Sequence, residues 1–499
     1  MQYSSAISHS SPKLTGEQPC QQYVSVAQAL RGKLSLQENT AKTMTRPLLD
    51  YYRVPECSLA RILEPRLSGS EGYFQFSSKV TCYGSSESGV AAGIDDAPSR
   101  DASKYLDINN LEVRLPFSPS QVIENLRRER YVKALVPGRE RMVTREWARS
   151  LYYSVRKFLP LSIRRCLQRA YFSDWPKRPF PAWPVDFTVD RLHEELLKVS
   201  MQAAGIQKVP FVWFWPEGAT SCLIMTHDVE TSVGRDFTPQ LMHLDESYGL
   251  TSSFQVIPEK RYKVSAEYID EIRCRGFELN IHDLNHDGRL YQKREEFLRR
   301  AAIINSYARK YQAQGFRAGA MYRTLDWYDA FEFSYDMSLP NVAHLEPKRG
   351  GCCTVMPFFI GKVLELPLTT IQDYSLFHIL KDLSIELWKK QCAMIRQRNG
   401  LMSFLTHPDY LVDPAARKIY ESLLDYLRTM RAEEPIWHAL PREVDQWWRA
   451  RSQMKLVRKG ADWRIEGPQR ERARIAYAVA DGEHLAYDIP DARPSKGHS

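Results

Sequence analysis

Between residues 210 and 448, short apolar segments alternate with longer segments whose apolar positions recur at helical spacing. Segments of the first kind are typical of buried strands, and those of the second kind are typical of helices that cover a sheet. The predicted strands are 222–226, 253–257, 277–281, 315–317, 363–366, 401–405 and 436–440, and the predicted helices are 266–275, 293–314, 376–398 and 415–431. Strands that alternate with helices pair in parallel, so the pattern predicts an α/β fold, either a barrel or an open sheet.

The regions on either side of this pattern have different characters. We predict four parts: a flexible tail at 1–45, an α+β region at 46–204, the strand–helix domain at 205–452 and a small β appendage at 453–499. The tail is polar and has no sustained period. In the second part, alternation predicts strands at 72–76 and 111–115, and helical spacing predicts a helix at 189–203. In the appendage, 473–479 and 484–489 flank Asp481-Gly482, a dipeptide typical of hairpin turns.

Composition narrows the class of protein. With 43% hydrophobic and 11% aromatic residues, the chain can bury a large core and is not a disordered protein. Its nine cysteines are scattered and include no C-x-x-C pair, which favours a reducing compartment. We find neither the apolar core of a secretory signal nor a stretch of roughly 18 apolar residues that could span a membrane. We therefore expect a cytoplasmic protein.

The net charge of +9 comes from one region. Between residues 121 and 178 there are 15 lysines and arginines against five acids. Within this region, 151–167 alternates apolar and cationic residues at roughly helical spacing, a pattern that suits contact with an anionic membrane surface. The alternative is a helix packed on the domain with its arginines in water. Nucleic acid is disfavoured because no binding motif accompanies the charge. The Pro- and Trp-rich stretch 175–184 that follows predicts an extended connector.

Two predicted strands end in residues that can carry chemistry. The first, 222–226, runs into His227, Asp228 and Glu230, and the second, 277–281, runs into His282 and His286. Side chains two apart on an extended segment point the same way, and imidazoles four apart on a helical turn can hold one cation. The two strand ends therefore predict one site for zinc or a similar divalent metal, in which one carboxylate is a ligand and the other accepts a proton. The alternative for the carboxylates is ion pairing with arginines.

A third strand ends in His407, which is followed by proline. A histidine at a strand end is well placed as a general acid, since its pKa is naturally near neutral pH.

The order Thr-x-Asp, His-x-x-x-His, Gly-Phe-Arg-Ala and Leu-Thr-His resembles the polysaccharide deacetylase family, the NodB homology domain, over roughly 211–453. The resemblance implies a distorted (β/α) barrel. It also implies that Asp228 is the general base, that His282 and His286 bind the metal, that Arg317 orients the base and that His407 protonates the departing amine.

The chain departs from the family pattern at two positions. Val229 stands where the family commonly has a second, metal-binding aspartate, and Glu230 fits a branch that carries the acid one residue later. The predicted metal ligands are therefore Glu230, His282 and His286. Gly319 stands where related sequences often have proline.

These residues lead us to expect a metal-dependent hydrolase that removes N-acetyl or similar N-acyl groups from an amino sugar or polysaccharide precursor. Two alternatives stay open: an inactive carbohydrate-binding or membrane-docked scaffold, and an amidase that acts on a small cytosolic amide. Tyr322, Trp327 and Tyr374 are either sugar-stacking residues or core residues. The expected partners are a carbohydrate substrate and, through 121–178, the inner membrane face.

Overall fold

The candidate residues lie on the strands of a nine-stranded sheet or in the segments that directly follow them. The computed structural model describes residues 46–65, 67, 69–109, 111–132, 161–482 and 484–490. The predicted tail at 1–45 and most of the predicted membrane-contacting segment at 151–167 lie outside these residues.

The described residues contain eleven α-helices and nineteen strands. The helices are α1 Arg46–Tyr52, α2 Pro119–Arg127, α3 Leu161–Phe172, α4 Thr188–Ala203, α5 Ser232–Ser247, α6 Ala266–Cys274, α7 Arg294–Tyr311, α8 Glu386–Arg396, α9 Pro408–Leu411, α10 Pro414–Glu433 and α11 Pro441–Gln453. The strands are β1 Arg61–Leu63, β2 Gly72–Phe76, β3 Val80–Gly84, β4 Asp107–Asn109, β5 Glu112–Arg114, β6 Lys208–Val212, β7 Ser221–Val229, β8 Ser253–Val256, β9 Glu278–His282, β10 Gly315–Arg317, β11 Tyr335–Asp336, β12 Phe358–Ile360, β13 Val363–Glu365, β14 Leu401–Thr406, β15 Ile436–His438, β16 Lys455–Lys459, β17 Asp462–Glu466, β18 Ile475–Asp481 and β19 His484–Asp488.

The largest sheet confirms the predicted α/β fold, a distorted (β/α) barrel. Its strand order is β12-β13-β11-β10-β9-β8-β7-β14, and β15 pairs with the first half of β7. All of these strands are parallel except β12, which pairs antiparallel with β13 at one edge. Every residue of β7 is buried, as expected for a strand covered on both faces.

The strand register brings the candidate residues to one end of the barrel. Asp228 pairs with Gln255 across β7 and β8, and Arg317 pairs with His282 across β10 and β9. The carboxyl ends of parallel strands meet at the same rim, where α/β proteins place their active sites.

The N-terminal region packs on the barrel through a shared core. This region contains the β2–β3 hairpin and a three-stranded sheet of order β1-β5-β4. One hydrophobic cluster includes Leu48 and Val122 from this region together with Cys222 and Ile224 of β7. The predicted strands at 72–76 and 111–115 and the predicted helix at 189–203 are present, but the Pro- and Trp-rich connector contains a short 3₁₀ turn, Trp175–Lys177.

The C-terminal residues add two hairpins. The predicted hairpin is β18–β19, and β18 also pairs antiparallel with β6, the strand that precedes the barrel. The hairpin β16–β17 was not predicted.

One long predicted helix, 376–398, is two elements. A π-helical turn, Ser375–Leu380, is separated from α8 by a short loop. In that loop Asp382 accepts hydrogen bonds from the backbone and hydroxyl of Ser384, at 2.9 and 2.7 Å. Such local side-chain bonds compete with helix formation. Among the described residues, no helix combines the length and the apolar character needed to cross a membrane.

Candidate active site at the strand ends

Asp228, at the end of β7, is buried and paired with Arg317 at the end of β10. Arg317 Nη1 lies 3.0 Å from Asp228 Oδ1 and 2.8 Å from the hydroxyl of Thr226. Arg317 Nε donates to the carbonyl of Met337 at 2.9 Å. The guanidinium is therefore fixed from both sides, and it holds the carboxylate of Asp228 in one orientation.

The three residues predicted as metal ligands lie together. His286 Nε2 is 3.0 Å from Glu230 Oε1, and the rings of His282 and His286 are 4.9 Å apart. Nitrogen and oxygen atoms offered by Glu230, His282 and His286 all lie within 4.8 Å of one another. The structure thus brings together the ligand set that the sequence predicts.

The prediction that the two histidines share a helical turn is wrong. His282 is the last residue of β9, and His286 lies in the irregular loop that follows it. Both Asp283 and His286 have positive φ, 57° and 53°. Left-handed conformations of this kind are uncommon for residues other than glycine and concentrate at functional sites. The loop, not a helix, folds His286 back over His282.

Gly319 makes room for this loop. A Cβ atom on Gly319 would lie 2.6 Å from Asp283 Oδ2 and 3.0 Å from His286 Cδ2. The absence of a side chain therefore lets the His286 loop approach the segment that carries Arg317.

The donor set fits a divalent metal ion. The buried Nε2 of His282 has no hydrogen-bond partner among the described residues. Its Nδ1 lies 3.2 Å from the carbonyl of Arg317, which favours the tautomer with the proton on Nδ1 and leaves Nε2 free to bind a cation. Two imidazoles and one carboxylate are a ligand set typical of catalytic zinc.

Electrostatics divide the site into ionised acids and a neutral histidine. Burial opposes ionisation of Asp228, but His282 and Arg317 outweigh it and hold the pKa of this carboxyl below its usual range. Burial likewise raises the pKa of Glu230, but His286 reverses this and holds it well below the ordinary value. Burial lowers the pKa of His282 to about 4, so its imidazole is neutral at pH 7.

His286 is in a different state from His282. Burial lowers its pKa, but the carboxylate of Glu230 more than compensates, so the pKa is raised above the ordinary value. A cation bound by His286 would have to displace this proton, which makes binding weaker at low pH.

His407, directly after β14, is held by Asp373. Asp373 Oδ1 lies 2.6 Å from His407 Nδ1, and Asp373 Oδ2 accepts from the His407 backbone N–H at 2.7 Å. Burial lowers the pKa of His407, but Asp373 outweighs it and raises the pKa to about 10. His407 is therefore protonated at neutral pH, and its Nε2 lies 3.9 Å from Glu230 Oε1.

Sequence reasoning missed two acids that position the site. Asp373 lies between β13 and the π-helical turn, where no apolar period or motif marks it. Asp409 is two residues beyond His407, and its Oδ2 accepts from the backbone N–H of Glu230 at 2.9 Å. Its place in the Thr-His-Pro-Asp run was a signal that it belongs near the site.

The three aromatic candidates have different surroundings. Trp327 packs 5.2 Å from Phe297, and Tyr322 is half-buried against the same core. Tyr374 lies 5.7 Å from Tyr410, which in turn is 5.0 Å from His407. Of the three, Tyr374 is connected to the site through its ring contacts, and Trp327 is partly buried against the core.

Comparisons with known proteins concern about half of the chain. No protein-family model matches it, and no curated protein matches it. Among solved structures it is similar to a protein assigned as a polysaccharide deacetylase in Mycobacterium smegmatis, at 17% identity and a TM-score of 0.40, over 50% of this chain and 98% of the other. It is also similar to Puue allantoinase, at 13% identity and a TM-score of 0.37, over 47% and 92% of the two chains. A third is a protein assigned as a polysaccharide deacetylase in Pseudomonas aeruginosa, at 11% identity and a TM-score of 0.37, over 47% and 92%.

At these identities the similarity concerns the fold alone. Solved structures assigned as polysaccharide deacetylases are thus among those that resemble about half of this chain, as its sequence motifs predicted.

Proposed function

We propose that this protein is a metal-dependent hydrolase that removes an N-acetyl or similar N-acyl group from an amino sugar or polysaccharide precursor. One observation carries the proposal: Glu230, His282 and His286 offer ligand atoms within 4.8 Å of one another at the same rim as Asp228 and His407. A cation site flanked by an ionised carboxylate and a protonated imidazole has the groups that amide hydrolysis needs.

A divalent metal held by Glu230, His282 and His286 would polarise the amide carbonyl and make water more acidic. Asp228 then accepts the proton of the attacking water, because the guanidinium of Arg317 keeps its carboxylate ionised. Arg317 donates to Asp228 Oδ1 at 3.0 Å, which leaves Oδ2 as the atom that takes the proton.

His407 supplies a proton to the departing nitrogen. Asp373 engages its Nδ1 at 2.6 Å, so the proton that can be transferred is on Nε2, which faces Glu230. Asp373 also stabilises the imidazolium before transfer, as an orienting carboxylate does for a general acid.

The position of Glu230 bears on the alternative of an inactive scaffold. That alternative rests on Val229, which cannot bind metal, and Glu230 supports the enzyme instead because it lies 3.0 Å from His286. The amidase alternative keeps the metal site and differs in the substrate, which is a small cytosolic amide. Acetate release from chito-oligosaccharides, measured beside release from nucleotide- or lipid-linked amino sugars and from small amides, distinguishes the two.

Two substitutions test the assigned roles. Asp228→Asn should lower turnover by about 10²-fold or more while the purified protein keeps its metal, because the base is lost and the ligands stay. His286→Ala should lose both metal and activity, because two ligands remain. Metal content by elemental analysis and acetate release measure the two effects. Equal metal loss in both variants would show that the roles are misassigned, and a wild-type protein that retains no metal after incubation with zinc would refute the hydrolase.

A further inference from the structure

A groove with a volume of about 1100 Å³ lies beside the C-terminal hairpins. The hairpin β16–β17 forms one wall, and the segment that leads into β18 forms the other. This volume is above the roughly 300–1,000 Å³ of pockets that hold single small molecules. The groove is open at the surface, so it suits a segment of a longer chain.

Cationic side chains dominate the lining of this groove. Five cations line it against one acid: Arg458, Lys459, Arg464, Arg470 and Arg474, against Glu466. Arg464 and Arg470 are exposed. Four of the five are arginines, whose planar guanidinium groups bind carboxylate or phosphate oxygens in pairs.

The groove is separate from the active site. Its β18 wall is anchored to residues that precede β7: Trp213 N donates to the carbonyl of Arg474 at 2.9 Å, and Glu217 N donates to that of Arg472 at 2.6 Å. The active site lies at the other end of β7. A strand of nine residues spans roughly 26 Å at about 3.3 Å per residue.

The three long segments that the structure does not describe do not supply an anionic counterpart. Residues 1–45 contain four cations and two acids. Residues 133–160 contain seven cations and two acids, and residues 491–499 contain two cations and one acid. Each of these segments is net positive, so none of them complements the charge of the groove.

We propose that this groove binds an acidic polysaccharide, with its arginines on the carboxylates of successive sugars. Charge complementarity identifies a polyanion, and its identification as a glycan rests on the proposed function. The groove would hold an acidic polymer at a distance from the strand-end site, so its effect would be on attachment and not on the chemical step.

Other polyanions fit the lining less well. Single-stranded nucleic acid binds where a basic groove also offers aromatic side chains for base stacking, and the residues that line this groove include no aromatic side chain. A membrane surface is bound by apolar side chains that protrude among the cations. The large hydrophobic residues that are exposed in the described part of the chain all lie outside residues 455–475.

The test uses the full-length protein and four probes: polygalacturonate, neutral dextran, a single-stranded oligonucleotide and vesicles of phosphatidylserine and phosphatidylcholine. The groove variant is Arg464→Glu with Arg470→Glu. Its matched control is Lys104→Glu with Lys390→Glu, which changes two exposed cations elsewhere by the same charge.

We expect the wild type to bind polygalacturonate more tightly than the other three probes. The groove variant should bind it at least about tenfold more weakly, with a salt dependence reduced by about two ions, and the control should change less than about twofold. Equal weakening in both variants, or tighter binding of dextran, oligonucleotide or vesicles, would overturn the proposal.

Acetate release from a short neutral chito-oligosaccharide separates this proposal from the proposed function. Both double variants should release acetate at the wild-type rate. If the wild type binds polygalacturonate through the groove but hydrolyses no acylated sugar, the hydrolase is refuted and the groove stands. If acetate is released but the groove variant binds like the control, the groove proposal is refuted alone.

Discussion

At the strand ends, some positions have no room for a side chain because neighbouring side chains lie against the backbone. Gly319 is the clearest case, since a Cβ there would lie 2.6 Å from Asp283 Oδ2. We predict that Gly319→Ala displaces the His286 loop and lowers metal affinity by about 10- to 100-fold, the range found when groups that orient metal ligands are disturbed. Metal affinity measured by competition with a chelating dye checks this.

The matched control for that variant is Gly249→Ala, where no atom lies within 4 Å of the new Cβ. Gly249 has a positive φ of 67°, so its substitution costs stability but leaves the site alone. Reduced metal affinity in both variants would mean that the effect is not local to the His286 loop.

A second residue-scale prediction concerns acid stability. Burial lowers the pKa of His438 to about 4, and its Nε2 donates to the carbonyl of Thr251 at 2.8 Å. The unfolded chain therefore binds a proton near pH 6.5 that the folded chain does not bind until about pH 4. Stability contributed by neutral His438 is present above pH 6.5 and is lost as the pH falls toward 4.

We expect His438→Gln to reduce this acid sensitivity, since glutamine can donate to Thr251 without titrating. The difference between variant and wild type in the free energy of unfolding should change by about 1–3 kcal/mol between pH 7 and pH 4. Urea unfolding at a series of pH values measures it. A difference that stays constant across this range would contradict the prediction.

The motifs predicted the central residues of the site but not those that support them. Asp228, His282, His286, Arg317 and His407 could be named because each follows an apolar strand in a recognisable motif. Asp373 could not be named, because it reaches His407 through tertiary packing between segments 34 residues apart. The loop conformation of His286 also escaped, because spacing alone does not distinguish a helical turn from a folded loop.

At the scale of elements, the side chain of Asp413 caps the N-terminus of α10. Asp413 precedes Pro414, and its Oδ1 accepts from the backbone N–H groups of Ala415 and Ala416 at 2.9 and 3.1 Å. We predict that Asp413→Ala lowers the free energy of unfolding by about 1 kcal/mol, because these N–H groups lose their partner. Asp413→Asn keeps the acceptor and should change stability by a few tenths of a kcal/mol at most. Thermal unfolding compares them, and equal losses would argue against the cap.

Element prediction was best where the pattern was long. The helices α6, α7 and α10 and the hairpin β18–β19 are at or near their predicted positions, because each has a sustained period or a turn dipeptide. The strands β11 and β12 have two and three residues, too few to show alternation, and they are recognisable only through their pairing, β11 with β10 and β13 and β12 with β13. Short strands of this kind are set by the sheet and not by their own sequence.

For the molecule as a whole, a buried ion pair between Glu129 and Arg323 joins the N-terminal region to the segment that follows β10. Glu129, just beyond α2, accepts from Arg323 Nε at 2.9 Å and from the backbone N–H of Gly351 at 2.8 Å, and it also pairs with Lys348. The side chains of Glu129 and Arg323 are almost completely buried. Removal of one partner would leave a buried charge without its counterion.

We predict that Glu129→Gln lowers the free energy of unfolding by about 3–5 kcal/mol, the usual cost of breaking a buried pair. Glu124→Gln is the control, since Glu124 is 41% exposed in its pair with Arg128 and should change stability by less than about 0.5 kcal/mol. Denaturant unfolding of both variants measures the difference. Similar small losses in the two would show that Glu129 does not hold the regions together.

The pairing of β6 with β18 has a consequence for synthesis of the chain. These two strands are separated by roughly 260 residues, which a ribosome adds in roughly 10 to 50 s. During that interval β6 presents an unpaired edge of buried character, Val209 to Val212, that can template pairing with another chain. The nascent protein therefore keeps this edge exposed until its C-terminal hairpin emerges, and a chaperone that shields the edge would act during that interval.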